Sequence, residues 1–184
     1  MNRWNSGRPR ALITAAVALF LAGCESIPMK PVRLATAATA DTVLVTFVRP
    51  YNLLGDGITL DVWDGTHYVG PLGAATLLQY RTTPGEHVFL GDTGIWSYAS
   101  GNLLAGKQYF LKANMVPGAA QVIWGAAEAT DERIPEWRKW QVRAPDDVKR
   151  ARYEIEAMAA AEEGLQGLKD GKVKAAQIKA EHAL

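Results

Sequence analysis

Apolar and polar side chains alternate over Thr42–Arg49, placing Val43, Val45 and Phe47 on one face. A period of two marks a half-buried strand. Ile58, Leu60 and Val62 repeat it, with Thr59 and Asp61 opposite. Asp64-Gly65 follows, the pair favoured in a two-residue type I′ hairpin because both positions need positive φ. Further strands are predicted over Thr66–Val69, Thr76–Thr82, Glu86–Leu90, Ile95–Tyr98, Gln108–Ala113 and Val122–Trp124. Turn residues separate them at Gly55–Gly57, Pro71–Gly73, Pro84-Gly85, Asp92–Gly94, Ala105-Gly106 and Pro117-Gly118. Short strands at this spacing predict an antiparallel β-sandwich, small Greek-key or prealbumin-like, over residues 41–128.

The period changes near Ala144. Pro145-Asp146-Asp147 is a good helix start, since Pro pre-sets φ and acids complement the helix dipole. Val148, Ala151, Ile155, Met158, Ala161, Leu165 and Leu168 then recur at spacings of three and four, one stripe over about six turns. Gly164, Gly167 and Gly171 weaken its far end by ~1 kcal/mol each relative to Ala. This helical extension, residues 145–184, either docks on an open face of the sandwich or zips against another helix. Its last segment, Lys172–Leu184, is expected to form a short helix or fray.

The first two dozen residues follow neither pattern. Met1–Arg10 carries Arg3, Arg8 and Arg10 and no acid, and Ala11–Leu21 is an uncharged apolar run. As a helix that run reaches about 16 Å, half of the ~30 Å hydrocarbon core, so it has the size of a signal-peptide h-region. Leu21-Ala22-Gly23-Cys24 follows at once. The stretch resembles the lipobox of bacterial lipoproteins at all four positions. That resemblance implies a signal peptide over residues 1–23 and acyl chains on Cys24. With Glu25 rather than Asp at the next position, it also implies the periplasmic face of the outer membrane. Three chains anchor permanently where one binds only marginally. Glu25–Ala40, with two Pro among small residues, reads as an extended tether reaching at most roughly 50 Å. The alternative for this segment is an edge strand over Val32–Ala38.

Several turn motifs in the middle of the chain resemble an uncharacterised family of bacterial lipoprotein domains. They are Asp64-Gly65, Gly70-Pro71-Leu72, Pro84-Gly85-Glu86-His87-Val88-Phe89-Leu90 and Ala105-Gly106-Lys107-Gln108-Tyr109. The resemblance covers roughly residues 41–126, brings no catalytic residues with it, and leaves the helical extension unexplained.

Composition sharpens this reading. The chain has 184 residues, 48% of them hydrophobic, with 20 Lys+Arg against 19 Asp+Glu and one Cys. A single Cys excludes an intramolecular disulfide framework, and the charge balance argues against a nucleic-acid binder. Cleavage before Cys24 removes 23 residues and three Arg, so the near-neutral precursor becomes a mildly acidic mature chain.

Candidate chemistry is thin. Asp92-Thr93-Gly94 matches the aspartic-protease triplet, but Gly91 and Ile95 flank it wrongly, and it is ordinary hairpin chemistry. His67, His87 and His182 do not pair at ligand spacing, and a structural zinc site lacks thiolates. Asp56, Asp61 and Asp64 could approach across a hairpin to hold Ca²⁺, although exposed turn acids are the commoner explanation. Ser97 and Ser100 lack a nucleophile elbow, and no Gly-rich phosphate loop is present. No catalytic residue, cofactor or metal is assigned. Trp137-Arg138-Lys139-Trp140, in a linker over residues 129–144, is either a cationic aromatic patch or two Trp side chains packing on the sandwich. Trp137, Arg138, Trp140, Ile155 and Met158 are the candidate interaction surface. The expectation is a lipid-anchored, non-enzymatic envelope domain, with the membrane and an envelope protein as partners and no small-molecule substrate identified. The alternatives are an assembly factor using the C-terminal helix and, behind it, an envelope hydrolase.

Overall fold

The computed structural model describes residues 26–184 apart from 54 and 56. The stretch that resembles a lipobox, Leu21-Ala22-Gly23-Cys24, and the expected signal peptide lie outside the described residues. Two sheets face each other. One has the order β1 (Met29–Val32), β10 (Val142–Pro145), β5 (Thr76–Thr82), β2 (Val43–Arg49), β8 (Gln108–Met115), β9 (Val122–Ala126). The other has the order β11 (Ala176–Ile178), β7 (Trp96–Leu103), β6 (Gly85–Asp92), β3 (Leu60–Asp64), β4 (His67–Leu72). Helix α1 (Ile134–Trp137) and the long α2 (Asp147–Lys169) complete the regular structure, and a 3₁₀ turn at Ala180–His182 follows β11.

The alternation read from sequence sets the layers. Val43, Val45 and Phe47 of β2, Leu60 and Val62 of β3, Phe89 of β6 and Trp124 of β9 point between the sheets. There Phe47 meets Phe89 and Trp124 edge-on at ring distances of 5.3 and 5.8 Å. Every β2 residue is nonetheless buried, because the opposite face is covered too. Val48, Leu77, Phe110 and Val142 pack there against Ile134 and Trp137 of α1, with Leu34, Trp140 and Leu184 at the margin. On the far side of the molecule, Trp63, Tyr68, Leu90 and Tyr98 lie beneath α2. Two sheets with both outer faces covered make a layered stack, so β2 is buried on both faces, with Thr46 and Arg49 as its polar members.

The expected antiparallel sandwich holds as a mainly β, sandwich-like fold with a C-terminal helix, but its sheets are mixed. β2 runs parallel to β8, β5 to β10 and β7 to β11. The chain leaves β2, builds hairpins in the other sheet and returns to β8 in the same direction, which hairpin signals along the sequence do not encode. β10, which sits between β5 and the edge strand β1, and β11, which ends the other sheet, are short strands added after long connections, and parallel pairing requires such crossovers.

Three local expectations shift. Asp64 pairs with His67, so the hairpin loop is Gly65-Thr66, one residue later than read. Gly65 alone takes positive φ, +59°, as a Gly-first loop requires. Within the presumed tether, Met29–Val32 forms β1, an edge strand antiparallel to β10, and the Ala35 amide donates to Gln79 Oε1 at 2.8 Å. The segment read as a linker, residues 129–144, contributes α1 and starts β10.

Helix α2 begins where Pro-Asp-Asp predicted. Asp146 is the N-cap and its side chain accepts from the Lys149 amide. Its buried face differs from the predicted stripe. Tyr153, Ala157, Ala161, Gly164, Leu165 and Leu168 meet the sheet, whereas Val148 and Ile155 are 79% and 75% exposed. The two stripes coincide at Ala161, Leu165 and Leu168 and diverge in the first three turns. There the sheet edge offers polar groups, and these select Arg150, Tyr153 and Glu154 over the apolar side chains.

Candidate functional site

β4 ends its sheet, so its outer backbone groups need partners. α2 supplies them. Glu154 Oε2 accepts from the Tyr68 amide at 2.9 Å, and Arg150 donates to the Tyr68 carbonyl at 3.0 Å and to Glu154 at 3.1 Å. His67 Nδ1 lies 2.8 Å from the same carboxylate oxygen. An i,i+4 Arg–Glu pair thus stands where a neighbouring strand would be, and it fixes the rotation of α2. Deeper under the helix, Asp61 accepts from Tyr68 at 2.6 Å and from Tyr153 at 2.8 Å. Burial raises the Asp61 carboxyl above the usual carboxylate range against the opposing effect of both hydroxyls, and Asp92, its cross-strand partner, pushes the same way. Burial, with the Asp61 charge beside it, also raises the Tyr68 phenol. Farther along, Tyr98 donates to the Gly164 carbonyl at 2.9 Å.

A second polar group plugs one end of the space between the sheets. His87 Nδ1 sits 2.8 Å from Asp64 Oδ2, and its Nε2 sits 2.9 Å from the Thr83 carbonyl. Both ring nitrogens face acceptors, an arrangement that favours the doubly protonated ring. The Asp64 hydrogen bond is the largest influence raising its pKa, against partial burial. The ring stacks on Phe89 at 5.7 Å with 7° between planes. Geometrically this is the Asp–His half of a hydrolytic triad. Its Nε2, however, bonds a carbonyl where a base would hold a hydroxyl, so it has no lone pair with which to take a proton. Neighbouring Tyr80 is pushed up to about 12 by burial.

Glu128, Glu181 and His182 bring three ligand-type atoms within 4.8 Å of one another. The Lys179 amide donates to His182 Nδ1 at 3.0 Å, which leaves the ring proton on Nε2. A cation at Nε2 would need the other tautomer, setting two N–H groups against each other. The cluster suits a polar contact between the His182 Nε2–H and the Glu128 carboxylate, 3.7 Å apart, better than a metal.

The remaining sequence candidates separate cleanly. Asp61 and Asp64 lie on opposite faces of β3, so they cannot share a cation; Asp56 falls outside the described residues. Asp92 accepts from the Gly94 amide at 2.7 Å, and Thr93 donates to the Ala120 carbonyl at 2.6 Å, so the triplet is a hairpin turn. Ser97 donates to the Gly91 carbonyl at 3.1 Å. In the Trp/Arg segment, Trp137 is buried beside Phe110 and Trp140 is half-buried, so these two pack on the sheet as the second of the two readings had it. Arg138 lies over Phe110 at 5.7 Å, and Arg133 over Trp137 at 5.2 Å. Ile155 and Met158 stay at the surface of α2.

Sequence reasoning missed the Asp61–Tyr68–Tyr153 and Asp64–His87 groups. Each draws members from segments far apart in the chain, and only register brings them together. No protein-family model matches this chain, and no curated protein or solved structure does.

Proposed function

We propose that this chain is a lipid-anchored envelope domain that acts by binding or by structural support, held at the periplasmic face of the outer membrane through acylated Cys24. The observation that carries the reading is Leu21-Ala22-Gly23-Cys24 behind a basic segment and an eleven-residue apolar run. Confinement to a surface raises encounter with other envelope components without tight intrinsic affinity. A prealbumin-like sandwich is supported by the orders β5-β2-β8-β9 and β4-β3-β6-β7, with the first and seventh of these eight strands parallel. Against an assembly factor with a free helical tail stand the bonds of Arg150, Tyr153 and Glu154 to β3 and β4.

Mass spectrometry of the protein purified from bacterial membranes tests the anchor. The expected species begins at an acylated Cys24, and Cys24→Ala moves the protein to the soluble fraction. An unmodified Cys24, or an intact Met1, refutes the anchor.

A further inference from the structure

We infer that the first three turns of α2 lie in the surface of the bilayer that holds the lipid anchor, so that the domain sits flush on the membrane and not at the end of a tether. The inference rests on acylation of Cys24 and adds to it a second contact and an orientation.

The exposed side of this half-helix is apolar. Val148 and Ile155 are almost fully exposed, Met158 is 36% exposed, and Ala151 and Ala159 are exposed between them. From Val148 to Ala159 the strip runs about 16 Å at ~1.5 Å per residue. It ends at the exposed Glu162 and Glu163, which keep the following turns out of lipid. Arg152 shares the strip and pairs with Glu156 at 2.7 Å; its alkyl stem can lie along lipid while its head stays wet.

What covers the strip follows from where the chain enters the fold. The Pro28 carbonyl accepts from the Asp146 amide at 2.9 Å, Lys30 pairs with Asp146 at 3.0 Å, and Ile27 packs into the cluster that contains Tyr153 and Ala157. The chain therefore joins the fold beside the first turns of α2. Cys24 precedes Ile27 by three residues, which span at most about 10 Å even when extended. A lipid on Cys24 brings the bilayer to this corner of the domain. Shallow insertion of an amphipathic helix, ~5–10 Å into the headgroup boundary, buries such a strip.

The test uses full-length acylated protein in phosphatidylethanolamine/phosphatidylglycerol vesicles containing nitroxide-labelled phospholipid. Acylation consumes the chain's one thiol, so Ile155→Cys or Lys139→Cys can each carry a single pyrene. Lys139 lies on the α1 side, against the other sheet. Quenching at position 155 is expected to exceed that at 139 several-fold, and Val148→Asp should bring it down towards the level at 139. Equal weak quenching at both positions, with Cys24 acylated by mass, overturns the docking and leaves the anchor standing. Pyrene excimer emission from position 155 assigns the strip to a second copy of the chain and also overturns it. An unmodified Cys24 overturns the anchor, and the docking with it.

Discussion

Two glycines three residues apart in α2 should respond to the same substitution with opposite signs. Replacing a helical Gly by Ala gains ~1 kcal/mol of propensity at either place. At Gly167 a new Cβ meets nothing nearer than Tyr98 Oη at 3.8 Å, so Gly167→Ala should stabilise by about 0.5–1 kcal/mol. At Gly164 the new Cβ stands 3.0 and 3.1 Å from Trp96 ring atoms and 3.3 Å from Leu90 Cδ2. Relieving that crowding costs ~1–3 kcal/mol as overpacking. Lifting the helix would also stretch the bond from Tyr98 Oη to the Gly164 carbonyl, worth ~0.5–1.5 kcal/mol. Gly164→Ala should therefore lose about 0.5–3.5 kcal/mol net of the propensity gain. Urea unfolding reads both: at a slope of ~1–3 kcal/mol per molar, the midpoints should move apart by roughly 1 M. In a Trp96→Ala background the Gly164→Ala penalty should vanish. Equal stabilisation by both alanines would mean that α2 is not seated on Trp96.

The His87–Asp64 pair sets a pH dependence. Because the folded state raises the His87 pKa above its ordinary 6.5, its stabilisation is full below that value and fades as pH rises through the folded value. Chemical denaturation across pH 5–9 should show this decline, flattened in His87→Gln. Asp61 works in the opposite sense from most native carboxylates. Its raised folded-state pKa makes stability fall as pH rises from 3.8 through the folded value, so Asp61→Asn should gain on wild type across that window. A variant that instead loses ground there would contradict the burial argument. Gly101→Ala drives a Cβ into the Ile178 carbonyl oxygen and should eject β11. Amide exchange should accelerate over residues 176–178, with a cost near 1.5–3 kcal/mol for exposing Ile178.

The alternation of Val43, Val45 and Phe47, the turn glycines and the Pro-Asp-Asp helix start determined, from sequence alone, that this is a β-rich layer structure followed by a helix. Those signals are local, since each depends on side chains a few residues apart. The lipobox-like stretch Leu21-Ala22-Gly23-Cys24 is likewise a property of consecutive residues. What lay beyond them is non-local. Parallel pairing of β2 with β8 depends on where the chain returns, and the Asp64–His87 pair exists only because β3 and β6 share a register. The rotation of α2 is the sharpest case. The first half of its apolar stripe, through Val148 and Ile155, faces outward, because the unpaired edge of β4 and half-buried Asp61 required Arg150, Tyr153 and Glu154 instead. Hydrophobic periodicity measures what a helix can bury, but the surface it meets decides which face is buried. Satisfying buried polar groups there outweighed covering two aliphatic side chains.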